Sequence, residues 1–218
     1  MHGRDVDEGC GLPQTERKGD WMQTYTGRQY WPLDPQPDDV DLRDIVHHLS
    51  MLCRYCGACR RFYSVLEHSL GVAYVAERQA RRLLMGPRRR TDVTHRALFH
   101  DAPESYVHDP IRPIKRCISG YEEVESANAR AINIALFLPP CERLGADVIK
   151  LADNAMLLAE QAALMAPAPA KWAPVSVPRE MREDAARYLR TQRWLPWRRS
   201  RWWLKRRFTK LHYELAEA

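Results

Sequence analysis

From Asp41 onwards the apolar residues fall three and four positions apart, and nowhere do they alternate with polar ones for the length of a strand. That period lays them along one face of a helix. A chain made of such faces must bury them against one another, so the expected fold is all-α, a helical bundle. The punctuation agrees. DLRDIVHHLSMLCRY opens the helical part, and SVLEHSLGVAYVAERQA follows with Ser64 and Glu67 at capping-box spacing. A charged linker, MGPRRRTD, leads to the helix carrying LFHDAPE, which Pro103 should kink or end. Ser119 and Glu122 form a second capping box ahead of GYEEVESANARAINIALFL. ADVIKLADNAMLLAEQAALMA is the most apolar segment and stops at the breaker run PAPAKWAPVSVP. REMREDAARYLRT and SRWWLKRRFTKLHYEL complete the set, the last with Leu204, Phe208, Leu211 and Leu215 on one face. No internal repeat is visible.

At 218 residues the chain suits one domain of ordinary size with appendages. Residues 1–21 read as a loose extension, with Met22 a candidate alternative start. Residues 22–175 form the expected core, and 176–218 are basic, Trp-rich helices packed on or beside it. Apolar residues at 45% and charged ones at 28% exclude a disordered chain. No stretch approaches the roughly 18 consecutive apolar residues of a membrane span, and the first residues lack the apolar core of a signal peptide. A cytoplasmic protein is expected, its six cysteines then reduced. The net charge of +6 is local: residues 185–213 hold ten Lys or Arg and no acid, so the remainder has 24 basic against 28 acidic residues.

The informative residues are polar ones placed where apolar ones belong. His68 sits among Val65, Leu66, Leu70 and Val72. His100 and Asp101 follow Ala97, Leu98 and Phe99, and Asp153 interrupts Val148, Ile149, Leu151 and Ala152. A buried carboxylate is costly unless paired or bound to a cation. Two imidazoles and two carboxylates make a nitrogen and oxygen site, suited to Mn, Fe, Co, Ni, Zn or Mg rather than to a thiolate-seeking metal. Such an ion would polarise a phosphoryl group and acidify water. Glu104, three residues after Asp101 and four after His100, falls on the same helical face, placed to orient or deprotonate that water. The bland readings are an ordinary buried histidine at His68 and an ion pair from Asp153 to Lys150 or Arg143.

The runs RRFYSVLEHS, ALFHDAPESYVHDPIRPIKR and VIKLADNAMLLAE, spread over roughly residues 22–165, resemble the HD-domain metal-dependent phosphohydrolases. The likeness is to the small branch holding bacterial 5′-deoxynucleotidases and phage deoxynucleoside triphosphohydrolases. It implies one divalent ion held by His68, His100, Asp101 and Asp153, with room for a second, substrate-associated ion. It implies Glu104 as the water-activating carboxylate and Asp109 as a second acid near the point of attack. Arg61 (or Arg60) and Lys115 would contact phosphate. The implied substrate is a deoxynucleotide, with a dNTP, dATP among them, favoured by the many nearby cations. Alternatives are a 5′-deoxynucleotidase on dNMPs, a phosphodiesterase on cyclic or oligonucleotides, and a nucleic-acid-binding protein with a degenerate site. A homo-oligomer in a bacterial or phage-infected cell is also implied. One departure stands out: where many phage relatives have Gly-His before RRFYS, this chain has Gly57-Ala58, leaving His47 as a candidate to compensate.

Other signals compete. Cys53, Cys56 and Cys59 in CRYCGAC suggest a thiolate zinc site or, more simply, a turn with reduced cysteines. Trp194, Trp197, Trp202 and Trp203 are interleaved with the cations of the tail, which suits packing on the core or a second subunit, binding of nucleic acid, or docking on an anionic surface. GPRRRTD (86–92) reads as a solvated loop. TYTGRQYWPLDP either reaches over the site, offering Tyr30 or Trp31 to a base, or is an arm packed on the bundle.

Overall fold

The computed structural model describes residues 17–192 and 197–218. Among these residues the regular structure is helical apart from a small antiparallel hairpin, β1 (Met22–Gln23) and β2 (Gln29–Tyr30), with Met22 opposite Tyr30. Two residues per strand are too few to show alternation in a sequence. The hairpin is fastened to the first helix, α1 (Leu42–Met51), by the Thr26 amide and hydroxyl. These donate to the two oxygens of buried Asp44 at 2.7 and 2.9 Å. Asp41 caps α1 by accepting from the Arg43 amide.

The central helix is α2 (Val65–Arg82), capped by Ser64, whose hydroxyl accepts from the Glu67 amide. The Glu67 carboxylate turns instead to Arg61 at 3.0 Å, so only half of the expected capping box forms. Helix α2 packs against α1, α3 (Pro87–Leu98), α7 (Arg143–Leu164), α8 (Arg179–Gln192) and α9 (Trp197–Ala216). Gly71 leaves room for side chains of two neighbouring helices, because a Cβ there would collide with Met156 of α7 and press on Tyr188 of α8. The core runs continuously through these helices and includes Leu66, Leu70, Leu98, Met156, Met181, Leu204 and Phe208. Burying Leu204 and Phe208 contributes about 1.5–3 kcal/mol each, which fixes α9 to the bundle by its apolar stripe.

Several local expectations give way. GPRRRTD is no loop: Pro87 stands at the first position of α3, where its missing N–H costs nothing, and the arginines ride the exposed first turns. Helix α3 ends at Leu98, well before Pro103, so His100 and Asp101 lie on a tight turn between α3 and the short α4 (Glu104–Val107). Ser119 does not cap α6 (Tyr121–Ala135). Gly120 does, at a φ of 78°, a left-handed conformation that suits glycine. Helix α9 begins three residues earlier than its amphipathic pattern suggests.

The N-terminal arm packs on the bundle. Tyr30 is fully buried, stacked on Tyr106 at 3.7 Å, and its hydroxyl donates to Asn128 Oδ1 at 2.6 Å. It cannot reach a nucleotide base. Trp31 is covered by the Arg17 guanidinium at 4.3 Å, and Arg17 is itself anchored to Asp34 and Asp39. The remainder of the expected N-terminal extension, Trp194, and the side chain of Trp197 lie outside the described residues.

Candidate metal centre

The central helix delivers His68 to the interior, the turn after α3 delivers His100 and Asp101, and α7 delivers Asp153. One ligand atom from each of His68, His100 and Asp101 falls within 4.8 Å of the others, a group that could hold a metal ion. His100 Nε2 is 3.1 Å from Asp101 Oδ2, and His68 Nε2 is 3.6 Å from the same oxygen. Asp153 stands beside the trio, its Oδ1 3.4 Å from His68 Nε2. Its other oxygen takes Lys150 at 3.1 Å, the ion pair expected on the bland reading, and Arg112 at 3.6 Å. Ligand and ion-pair partner are thus compatible roles for one carboxylate.

The fit to a cation rests on the ring nitrogens. His100 Nδ1 lies 2.8 Å from the Ala97 carbonyl, and His68 Nδ1 lies 2.7 Å from Glu160 Oε1. A carbonyl and an ionised carboxylate can only accept, so in both neutral rings the proton belongs on Nδ1. Each Nε2 then offers a lone pair, and each is buried without a hydrogen bond. In that tautomer the two Nε2 lone pairs and the Asp101 carboxylate converge as donors that a cation would satisfy. Metal-ligating histidines are held in this way by an outer carboxylate or carbonyl.

The surrounding carboxylates favour positive charge at this point, whether a bound cation supplies it or a proton on His68. Burial and the Arg54 charge would lower the pKa of His68, but the Glu160 and Asp153 carboxylates outweigh them and raise it to about 9. Desolvation works against ionised Asp101 and Asp153, yet the neighbouring imidazoles hold both below the usual carboxylate range. Glu104 goes in the other direction. It is buried, its Oε2 has no hydrogen bond, and desolvation with the charges of Asp101 and Asp109 raises its proton affinity well above normal. Asp109 is raised too, first by burial and then by Asp101. It follows His108, whose backbone takes a φ of 73° and whose carbonyl accepts from Tyr121 at 2.9 Å, a strained turn after α4. Glu104 and the His100–Asp101 turn therefore come together although no continuous helix carries them.

Two functional neighbours escape a motif reading. Glu160 is fully buried and accepts from His68, from Tyr55 Oη at 2.7 Å and from Arg54 Nε at 3.2 Å. The signal was available, since Glu160 lies two turns beyond Asp153 on the same face of α7 in an otherwise apolar run. Arg54 bridges Glu160 and Asp101, the latter at 3.6 Å. It is carried by a loop closed by the Cys53–Ser64 bridge, with Tyr55 and Cys56 at positive φ of 57° and 50°. Nothing in the sequence announces that geometry. Arg61 is turned away to Glu67, and Lys115 of α5 (Arg112–Lys115) is paired with Glu125 at 2.6 Å.

His47 offers no compensation for Ala58, because it stacks on Tyr25 at 3.6 Å with Lys205 Nζ 3.2 Å away on the outer side of α1. Its neighbour His48, about 100° round the helix, is the one that reaches α4, at Ser105 O. The five cysteines among the described residues are free and build no metal-competent group there.

These features define a class: an α-helical protein with a buried histidine and carboxylate group competent to hold a cation. No protein-family model matches the chain. The uncharacterised protein RCAP_rcc00048 of Rhodobacter capsulatus is 36% identical over 151 residues, spanning 65% of this chain and 72% of its own length. The uncharacterised protein YfdR of Escherichia coli K12 is 28% identical over 141 residues, 65% of this chain and 70% of its own. At that identity and coverage the chain belongs to the family of the Rhodobacter capsulatus protein.

Proposed function

We propose that the protein is a divalent-metal-dependent phosphohydrolase of deoxynucleotides, acting on dNTPs to release deoxynucleoside and triphosphate. The observation that carries the reading is the pair of Nδ1-anchored imidazoles whose unpartnered Nε2 atoms face Asp101. His68, His100 and Asp101 would hold the ion, with Asp153 as the adjoining fourth ligand. When bound, the ion would supply positive charge to a phosphoryl oxygen and acidify water.

The chain's own groups do the rest. Glu160 and the Ala97 carbonyl keep both imidazoles in the ligating tautomer. Glu104, with its raised proton affinity, takes the proton of the attacking water, and Asp109 helps to orient that water. A bond forms from the water oxygen to the α-phosphorus, the bond to the 5′-oxygen breaks, and that oxygen leaves with a proton. Cations at the rim favour a triphosphate: Arg112 and Lys150 both reach the outer oxygen of Asp153, and Lys115 is close enough to act on Glu104 and Asp109. Arg54 is committed to Glu160 and Asp101 and stiffens the site instead.

Product analysis by ion-exchange chromatography tests this, offering all four dNTPs and dNMPs with Mn²⁺, Co²⁺, Zn²⁺ or Mg²⁺. Triphosphate and deoxynucleoside are expected from the dNTPs. Inorganic phosphate from dNMPs alone would make the protein a 5′-deoxynucleotidase. Asp101→Ala should lose metal and turnover together, whereas Glu104→Gln should keep the metal and slow roughly 10²–10⁴-fold. Full activity of the Asp101 variant would overturn the assignment.

A further inference from the structure

A groove of about 860 Å³ lies between the hairpin, α1 and α9. Five of its lining residues are Lys or Arg and one, Asp41, is acidic. Asp41 is already held by Arg43 at 2.6 Å. The groove thus presents a net positive lining and shares no residue with the metal-competent trio, and the phosphohydrolase reading makes no use of it. Its aromatic residues are exposed, Trp202 at 61%, Tyr25 at 58% and Tyr213 at 55%, although His47 already takes one face of Tyr25. Each of the first two is attended by a cation, Arg206 over Trp202 at 5.4 Å and Lys205 over Tyr25 at 5.2 Å. Trp202, Arg206, Lys210 and Tyr213 follow one side of α9 over roughly 16 Å.

From this arrangement we infer that the groove is a binding surface for single-stranded nucleic acid. Cations along a groove meet phosphates, and exposed rings offer platforms for unpaired bases, which every base can use. A duplex keeps its bases stacked on one another and would leave the rings idle. An anionic membrane fits less well. A helix that docks on lipid inserts its apolar face, and that face of α9 is already buried in the core through Leu204 and Phe208. Glu214, on the neighbouring turn, is paired with Lys210 at 3.4 Å, but both are exposed and the pair is weak enough to open for a phosphate.

Fluorescence anisotropy with the full chain and a labelled 20-residue oligodeoxythymidine tests the assignment. Binding is expected at 50 mM NaCl and should weaken roughly 50-fold by 200 mM if about four phosphates are contacted. Trp202→Ala should cost at least about fivefold in affinity, and Trp202→Ala combined with Arg206→Glu and Lys210→Glu should abolish binding. All three positions are exposed, so the variants should keep the wild-type circular dichroism melt and metal content. Absence of binding at 50 mM salt, an unchanged affinity in the triple variant, or tighter binding of a duplex of equal length would each overturn the inference. Sedimentation with vesicles of phosphatidylserine and phosphatidylcholine, without oligonucleotide binding, would assign the surface to lipid instead.

Discussion

Two pairs of histidines among the described residues, buried or nearly so, have opposite characters. His68 and His100 face each other with ring centroids 5.3 Å apart, and His95 and His212 with centroids 5.1 Å apart. In the second pair the nitrogens satisfy each other, His95 Nε2 to His212 Nδ1 at 2.9 Å, and the rings pack on Phe99, tying α9 to α3. In the first pair the nitrogens turned to the protein are satisfied and those turned to the centre are not. Carboxylates surround the first pair, and His68 is pushed up to about 9. No carboxylate comes to the aid of the second. Burial, then the His212 and Arg96 charges, lower His95 to about 4. Burial alone therefore does not mark a site. The mark is an unpartnered nitrogen with an anionic second layer behind it, a local cost that function justifies.

The largest contrast should appear when one member of each pair is truncated. His100→Ala is expected to lose the metal and at least about 10³-fold in turnover while costing only about 1 kcal/mol of stability, since Nε2 contributes no hydrogen bond and the Nδ1 bond to the Ala97 carbonyl is the one lost. His212→Ala is expected to do the reverse, leaving turnover within about twofold and costing about 2–3 kcal/mol, because it strands His95 Nε2 and opens a cavity beside Phe99. Equal losses of stability in the two variants would break the comparison.

A smaller effect should follow pH. His95 takes its proton near 4 in the folded chain and near its ordinary 6.5 in the unfolded one. Between those values the unfolded state binds more protons. The pair's contribution is thus complete above 6.5 and lost as pH falls through 4, by up to about 3 kcal/mol. Chemical denaturation between pH 7.5 and 4 would read this as a falling midpoint, and His95→Phe should flatten that part of the profile. A profile as steep in the variant as in the wild type would assign the dependence to other groups.

The smallest effect concerns the layer behind the ligands. Glu160→Gln preserves shape and removes the charge that His68 Nδ1 leans on, so metal affinity by calorimetry should fall about 10–100-fold with the fold intact. An unchanged affinity would reduce Glu160 to a structural partner of Arg54 and Tyr55.

Much of this was legible before any coordinates. The period of the apolar residues determined an all-helical chain, Asp41 and Ser64 marked where two helices start, and Leu204 with Phe208 marked the buried stripe of α9. Polar residues in apolar settings picked out His68, His100 and Asp101, because a buried ionisable side chain needs a partner and the sequence supplied none nearby. These are short-range matters of propensity and desolvation, and each is written in a few adjacent residues.

Tertiary structure decided what depends on contacts between distant residues. It ended α3 before His100 and so put the ligand pair on a turn. It sent Arg61 to Glu67 and brought Arg54 to Asp101 through a loop with two residues at positive φ. It set His47 against Tyr25 and Lys205 and His48 against α4, a choice made by about 100° of helix rotation. It paired His95 with a histidine 117 residues away. A residue's type limits the charges and hydrogen bonds it can offer. Which partner takes them is a question of position in space, and only the packed chain answers it.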